Sequence, residues 1–346
     1  MPHERDGPLP SANPAARRAK GRLVNLLDGR RAEDVDRAAR QLADGGLVAM
    51  PTETVYGLAA RADDDRAVAA IYAAKGRPAD HPLIVHVLDR SGAEHFADAL
   101  GGDAGRLIDA FWPGPVTVIV RRAAGQADAA AARLGTIALR CPAHPVARAL
   151  LTRCRELGVE GLAAPSANRF GGVSPTTAGH VRAEFGESML VLDGGACELG
   201  IESSIVDCSR DAPVLLRPGV LTRDRLEDAL GRALAEPGDD ATAAPGTLDS
   251  HYAPAATLRL MAGEQLRQAI AMLPPSMSGL AVYSRTAPRR PWVRPMPDDA
   301  RAVAHELYAV LREFDARGVK LIWVEQPPDT AEWEGVNDRL QRAAAP

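Results

Sequence analysis

Residues 51 to 87 read PTETVYGLAARADDDRAVAAIYAAKGRPADHPLIVHV, with polar groups gathered at the two ends of an Ala-rich run. Thr52, Glu53, Thr54 and Tyr56 crowd a Pro/Gly-bounded turn, and Lys75, Gly76, Arg77, Pro78, His81 and His86 follow the run. Arginine offers a planar fork to a carboxylate or phosphate, and lysine a compact charge. If the KGRP turn is extended, Lys75 and Arg77 share a face, because residues i and i+2 point the same way. Hydroxyls beside fixed cations suit an anionic ligand. The bland alternative is a solvated helix end whose cations complement the negative end of the helix dipole. For His86, which interrupts an apolar strand, it is a satisfied core histidine.

Further polar clusters stand where strands stop. APSANRFGGVSPTT gathers Ser166, Asn168, Ser174, Thr176 and Thr177 around Gly171 and Gly172 ahead of a helix, which suits N-capping as well as anion binding. GIESSIVDCS and LLRPG put Ser203, Ser204 and Arg217 on neighbouring strands, and TIALRCP carries Thr136 and Arg140 on one face. Arg77, Arg140, Arg217, one lysine and many hydroxyls at the strand ends of one domain point to a concave anion site. There is no P-loop, no dinucleotide glycine fingerprint, no GxSxG elbow and no HExxH. Histidines and cysteines lack metal-ligand spacing, which argues against a zinc site. No carboxylate pair or Ser-His-Asp arrangement stands out. Catalysis would then work by positioning and charge stabilisation, as in phosphoryl or nucleotidyl transfer.

Apolar periodicity supplies the elements that must hold these groups. Helices are predicted over 32–46, 64–75, 144–158, 177–186 and from 222 to about 235. Strands are predicted over 47–50, 82–87, 116–122, 136–142, 161–167, 189–195, 203–209 and 213–219. Hairpin-length connections between the last strands make the sheet mixed. The fold class is therefore α/β over residues 31–236, a twisted mixed sheet with helices. A Pro, Gly, Asp and Ala-rich linker over 237–255 follows, then a smaller Rossmann-like, doubly wound α/β domain over 256–346. Residues 1–30, rich in Pro, Ala and Arg and without an apolar h-region, read as a disordered tail.

At 346 residues two domains are expected, and 46% hydrophobic residues suffice for two cores. No apolar run is long enough for a membrane helix. A net charge of −4 argues against a surface that grips nucleic acid throughout, though a local basic cleft is compatible with it. Cys141, Cys154, Cys197 and Cys208 stand far apart, which suits a reduced, cytoplasmic compartment better than a disulfide framework.

PTETVYGL, KGRP, HPLIVHV, RCP, APSAN, GGVSPT, ESSIVD and LLRPG resemble, in this order, the motifs of the YrdC-type threonylcarbamoyl-AMP synthases. The resemblance covers about residues 32–235 and continues through HYAP (251–254) to VNDRLQRAA, as in the longer two-domain branch. It implies an enzyme joining L-threonine, bicarbonate and ATP into threonylcarbamoyl-AMP with release of pyrophosphate. A downstream tRNA threonylcarbamoyl transferase would use the product, and weak contact with tRNA itself is compatible with that role. By the same resemblance Thr54, His86, Arg140, Ala164 and Ser203 surround threonine. Arg77, His81, Thr136, Ser166, Ser174, Arg217 and Tyr252 surround ATP, with Lys75 and Arg77 as the catalytic cations. Relatives often carry Asn where this chain has His81. Mg²⁺ is expected on the triphosphate, with no protein metal site. The rival reading is a non-catalytic module that holds tRNA or double-stranded RNA in the same basic hollow, with salt-dependent affinity.

Overall fold

The computed structural model describes residues 25–238, 241–247 and 250–345. The first unit begins with strand β1 (Leu26–Asp28), helix α1 (Ala32–Ala43), β2 (Val48–Met50), β3 (Gly57–Arg61), α2 (Asp65–Lys75) and β4 (Ile84–Val87). It continues with α3 (Arg90–Glu94), α4 (Gly102–Phe111), β5 (Val116–Arg121), β6 (Thr136–Arg140), α5 (Pro145–Glu156) and β7 (Gly161–Ala163). Helix α6 (Ala178–Phe185), β8 (Val191–Asp193), β9 (Ser204–Asp207), β10 (Val214–Arg217) and α7 (Arg223–Leu230) complete it.

These strands form one ten-stranded sheet in the order β1-β8-β2-β3-β7-β4-β6-β5-β9-β10. It is mixed: β4 and β6 run parallel, as do β5 and β9, whereas β7 opposes β4 and β10 opposes β9. Two expectations are corrected. The tail does not extend to residue 30, because Leu26–Asp28 pair in parallel with Val191–Asp193; the rest of the predicted tail, 1–24, lies outside the described residues. Strand β8 does not neighbour β9 and β10 but joins β1 and β2 near the opposite edge.

The second unit comprises β11 (Thr257–Met261), α8 (Gly263–Ala271), β12 (Leu280–Ser284), β13 (Val293–Pro295), α9 (Ala300–Ala316), β14 (Leu321–Glu325) and α10 (Glu334–Ala344). Its sheet is wholly parallel, ordered β11-β14-β12-β13, with the β-strand-to-helix alternation of a doubly wound domain. Val55, Val173 and Ile201 of the first unit are buried in one cluster with Tyr252, Leu307, Tyr308 and Leu311, so the two units share an apolar seam. Gly200, at φ 82°, lies against α9; a Cβ there would collide with the carbonyls of Ala304 and His305. Arg312 of α9 adds an ion pair to Glu184 at 2.8 Å across the seam. Among the described residues no helix is long and apolar enough to cross a membrane.

Candidate active site

A cavity is lined by residues of β4, β6 and β10 and by the segment that follows β7. Its wall collects Thr54, Arg77, His86, Arg140, Ala164, Ser166, Ser203, Arg217 and Tyr252 from segments far apart in sequence. The parallel pairing of β4 with β6 sets His86 opposite Arg140. The linker completes the wall with Pro245, Gly246, His251 and Tyr252.

One half of the wall is an arginine held in a polar nest. Arg140 donates to Glu53 Oε1 at 2.6 Å, to Thr54 Oγ1 at 2.8 Å and to the Gly114 carbonyl at 3.3 Å. Glu53 is fixed in turn by the Ala143 amide at 3.0 Å. The turn carrying Thr54 is built by Thr52, whose hydroxyl donates to the Val55 carbonyl at 2.6 Å. His86 is buried beside this nest with no partner for Nδ1. Burial first, and then the charge of Arg140, lower it to about 3, so a neutral imidazole faces the cavity at neutral pH.

The other half carries more cationic character. Arg217 donates from Nε to the Ser203 carbonyl at 3.1 Å and from a terminal nitrogen to the Pro245 carbonyl at 2.8 Å, so strand and linker hold it together. The Ser203 hydroxyl also meets Thr117 Oγ1 at 2.8 Å. Arg77 donates to the Pro82 carbonyl at 3.0 Å, and its guanidinium lies 5.5 Å from the Phe170 ring centroid. Its Nε has no partner, a buried donor for which an anionic ligand would be suited. Burial, with Arg217 adding to it, brings Arg77 down to about 10, still cationic at neutral pH.

Lys75 is not a solvated helix end. It is 3% exposed, and its ammonium donates to the carbonyls of Ser166 and Asn168, each at 2.6 Å. It backs the Ser166 segment rather than lining the cavity. Burial, with Arg77 second, lowers its pKa to about 7.

Three other expected contacts also lie off the wall. Ser174 is buried and gives its hydroxyl to Glu202, which does line the cavity. Thr136 sits at the opposite end of β6, four residues from Arg140 and thus about 13 Å along the strand. It pairs in register with Arg121 and does not line the cavity. His81 packs edge-on against Phe170, 5.4 Å between centroids, while its carbonyl accepts from the Tyr72 hydroxyl at 2.9 Å.

Sequence reasoning assigned no role to several residues that the fold brings here. Phe170 contacts Arg77, His81 and His251 as an aromatic platform; an aromatic within a Gly-rich turn was the available signal. His251 lines the cavity beside Tyr252, and burial lowers it to about 3. Glu202 is a carboxylate on the cavity wall, paired with Arg339, while Glu53 lies behind the wall, paired with Arg140. Tyr252 sits at φ 61°, an uncommon conformation for a non-glycine residue, with its hydroxyl buried and unpartnered. A Cβ on Gly246 would collide with that hydroxyl and come within 2.8 Å of an Arg217 guanidinium nitrogen.

Residues 40–219 match the Sua5/YciO/YrdC family model, described as Telomere recombination. The chain belongs to the Sua5/YciO/YrdC family. Residues 221–345 match a second family model, Threonylcarbamoyl-AMP synthase, C-terminal domain. The threonylcarbamoyl-AMP synthase of Pyrococcus abyssi (strain GE5 / Orsay) is 35% identical over 319 residues, covering 89% of this chain and 93% of its own. That of Bacillus subtilis (strain 168) is 37% identical over 331 residues, covering 90% and 92%. The crystal structure of P. abyssi Sua5 complexed with L-threonine superposes with a TM-score of 0.83 at 33% identity, covering 92% of this chain and 96% of that one. Similarity to these relatives thus extends over both domains.

Proposed function

We propose that this chain is an L-threonylcarbamoyladenylate synthase, a nucleotidyltransferase that converts L-threonine, bicarbonate and ATP to threonylcarbamoyl-AMP and pyrophosphate. The observation that carries the reading is one cavity with two differently equipped halves, Arg140 with Thr54 and His86 against Arg77 with Arg217 and Tyr252. The first half suits an amino acid: a fixed guanidinium for its carboxylate, a hydroxyl, and a neutral imidazole that leaves an amine free to react. The second suits a nucleotide triphosphate, with two buried guanidiniums and the Phe170 and Tyr252 rings beside them.

In this reading the threonine amine attacks the carbon of bicarbonate and water is lost, giving a carbamate. A carbamate oxygen then attacks the α-phosphorus of ATP, the bond to the bridging oxygen of the β-phosphate breaks, and pyrophosphate leaves. The chain supplies no nucleophile. Its residues align the two anions and offset their repulsion, and burial excludes water from an unstable intermediate. Lys75 holds the Ser166 segment in place and supplies charge behind the phosphates.

Mg²⁺ would arrive on the triphosphate, held by phosphate oxygens and water. The one carboxylate lining the cavity among the described residues, Glu202, is taken by Arg339, and among those residues no three His, Cys, Asp or Glu group as a metal site. The product would pass to a transferase that moves the threonylcarbamoyl group to tRNA. The test is incubation with threonine, bicarbonate and ATP, scoring pyrophosphate with each substrate omitted in turn. Release that requires all three is expected; release without threonine overturns the proposed specificity.

A further inference from the structure

The second domain sends a charged side chain up to the cavity wall without reaching the cavity. Arg339 of α10 has no exposed surface and heads the fully buried side chains by size. Its Nε donates to Glu202 Oε2 at 2.8 Å, one terminal nitrogen to the Glu202 carbonyl at 3.3 Å, and the other to the Pro218 carbonyl at 3.0 Å and to Asp338 Oδ2 at 2.5 Å, a carboxylate that Arg342 also pairs at 2.9 Å. The guanidinium also lies 5.2 Å from the centroid of the Tyr252 ring. A single residue thus grips the strand end before Ser203, the turn after Arg217 and the linker tyrosine.

Adhesion between the domains has other sources. The seam around Val55, Val173 and Ile201 is apolar, and Arg312 supplies a separate ion pair. Removing a guanidinium and a carboxylate from water is costly, and apolar residues of similar volume would glue the domains as well. What distinguishes this pair is Glu202, a carboxylate on the wall of a cavity otherwise furnished for anions. Glu202 also accepts from Ser174 and, at 2.8 Å, from the Tyr308 hydroxyl of α9. Burial would push Glu202 up; Arg339 and then Arg217 hold it down at about 2, so its negative charge persists at neutral pH. Unneutralised, that charge would repel a polyphosphate.

We propose that Arg339 is a positioning residue for the nucleotide half of the site, cancelling the charge of Glu202 and fixing the Tyr252 ring while touching no substrate itself. The inference rests on the cavity being an ATP site. It makes the second domain a working part of that site.

The test measures ATP affinity by calorimetry without threonine, threonine affinity without ATP, and KM and kcat for pyrophosphate release. The full-length proteins are wild type, Arg339→Met, Arg339→Lys, Glu202→Gln and the Arg339→Met/Glu202→Gln double variant, each also followed by thermal unfolding. Arg339→Met is expected to weaken ATP binding at least about tenfold, by more than it weakens threonine binding. The double variant should recover most of that loss, because the uncompensated carboxylate is gone; a purely structural pair would leave it as weak as Arg339→Met. Arg339→Lys, which keeps the charge and loses the fork, should fall between. Glu202→Gln should bind ATP at least as tightly as wild type, an arm that stands even if Arg339→Met does not fold. Wild-type affinity in folded Arg339→Met, no recovery in the double variant, or weakened ATP binding in Glu202→Gln overturns the inference alone. A wild type that binds no ATP overturns the enzymatic reading and this inference together.

Discussion

Lys75 shows how a residue chosen for its charge can work against the fold that contains it. Its folded pKa of about 7 lies below its ordinary 10.5, so between these values the unfolded chain holds more protons than the folded one. Stability from this group therefore rises with pH across that window, and below it the buried charge is a standing cost. Wild type should gain about 3 kcal/mol from this source between pH 6 and pH 9, each pH unit above the folded value being worth up to about 1.4 kcal/mol. Lys75→Met removes the charge together with two hydrogen bonds to carbonyls. We expect it to unfold at equal or higher urea concentration than wild type at pH 6, to show a smaller gain by pH 9, and to lose pyrophosphate release by about 100-fold or more. Urea titrations at the two pH values, with the activity assay alongside, check all three. A clear loss of stability at pH 6 would instead make Lys75 a structural residue.

Among the elements, the linker carries a tight geometric constraint at Gly246. Gly246→Ala should displace the Tyr252 hydroxyl and Arg217, raising KM for ATP about tenfold, roughly 1.4 kcal/mol, with kcat affected less. Steady-state kinetics at saturating threonine and bicarbonate read it. A change confined to the melting temperature would show that Gly246 only shapes the loop. The elements also show what the sequence could reveal. Strands β4, β5 and β6 were legible because PLIVHV, VTVIVRR and TIALRCP are β-branched runs. Strand β3, Gly-Leu-Ala-Ala-Arg, was not, since Gly and Ala favour no strand; it exists because β2 and β7 pair on both its sides. Helix α4 was hidden by glycines at 101, 102 and 105, and β1 by the Pro- and Arg-rich segment before it. In the site, Thr54, His86, Arg140 and Arg217 were legible because each stands at a strand end or in an odd polar turn. Glu202 and Arg339 were not, because their pairing spans 137 residues and two domains and leaves no local pattern.

For the molecule as a whole, the two domains share a buried seam, and the linker between them lines the cavity. Removing everything after residue 236 would expose Val55, Val173 and Ile201, strip Glu202 of its arginine and remove Tyr252 from the cavity. The truncated chain is expected to associate in solution and to release pyrophosphate at under about 1% of the wild-type rate, as loss of positioning groups usually entails. Light scattering and the omission assay test this together; a monodisperse, active fragment would make the second domain dispensable. Cleavage within residues 237–255 that leaves activity intact would remove the linker from the site by a separate route.

The division of labour inside the cavity is the claim on which the account turns. Arg140 ends β6 and Arg217 ends β10, three strands away in the sheet, and lysine cannot reproduce the fork of either. The most direct measurement is therefore calorimetric titration of Arg140→Lys and Arg217→Lys, each with L-threonine alone and with ATP alone. Arg140→Lys should lose threonine affinity by about 30-fold or more while ATP affinity stays within about threefold, and Arg217→Lys should do the reverse. Equal losses of both ligands in both variants, or the opposite pattern, would contradict it.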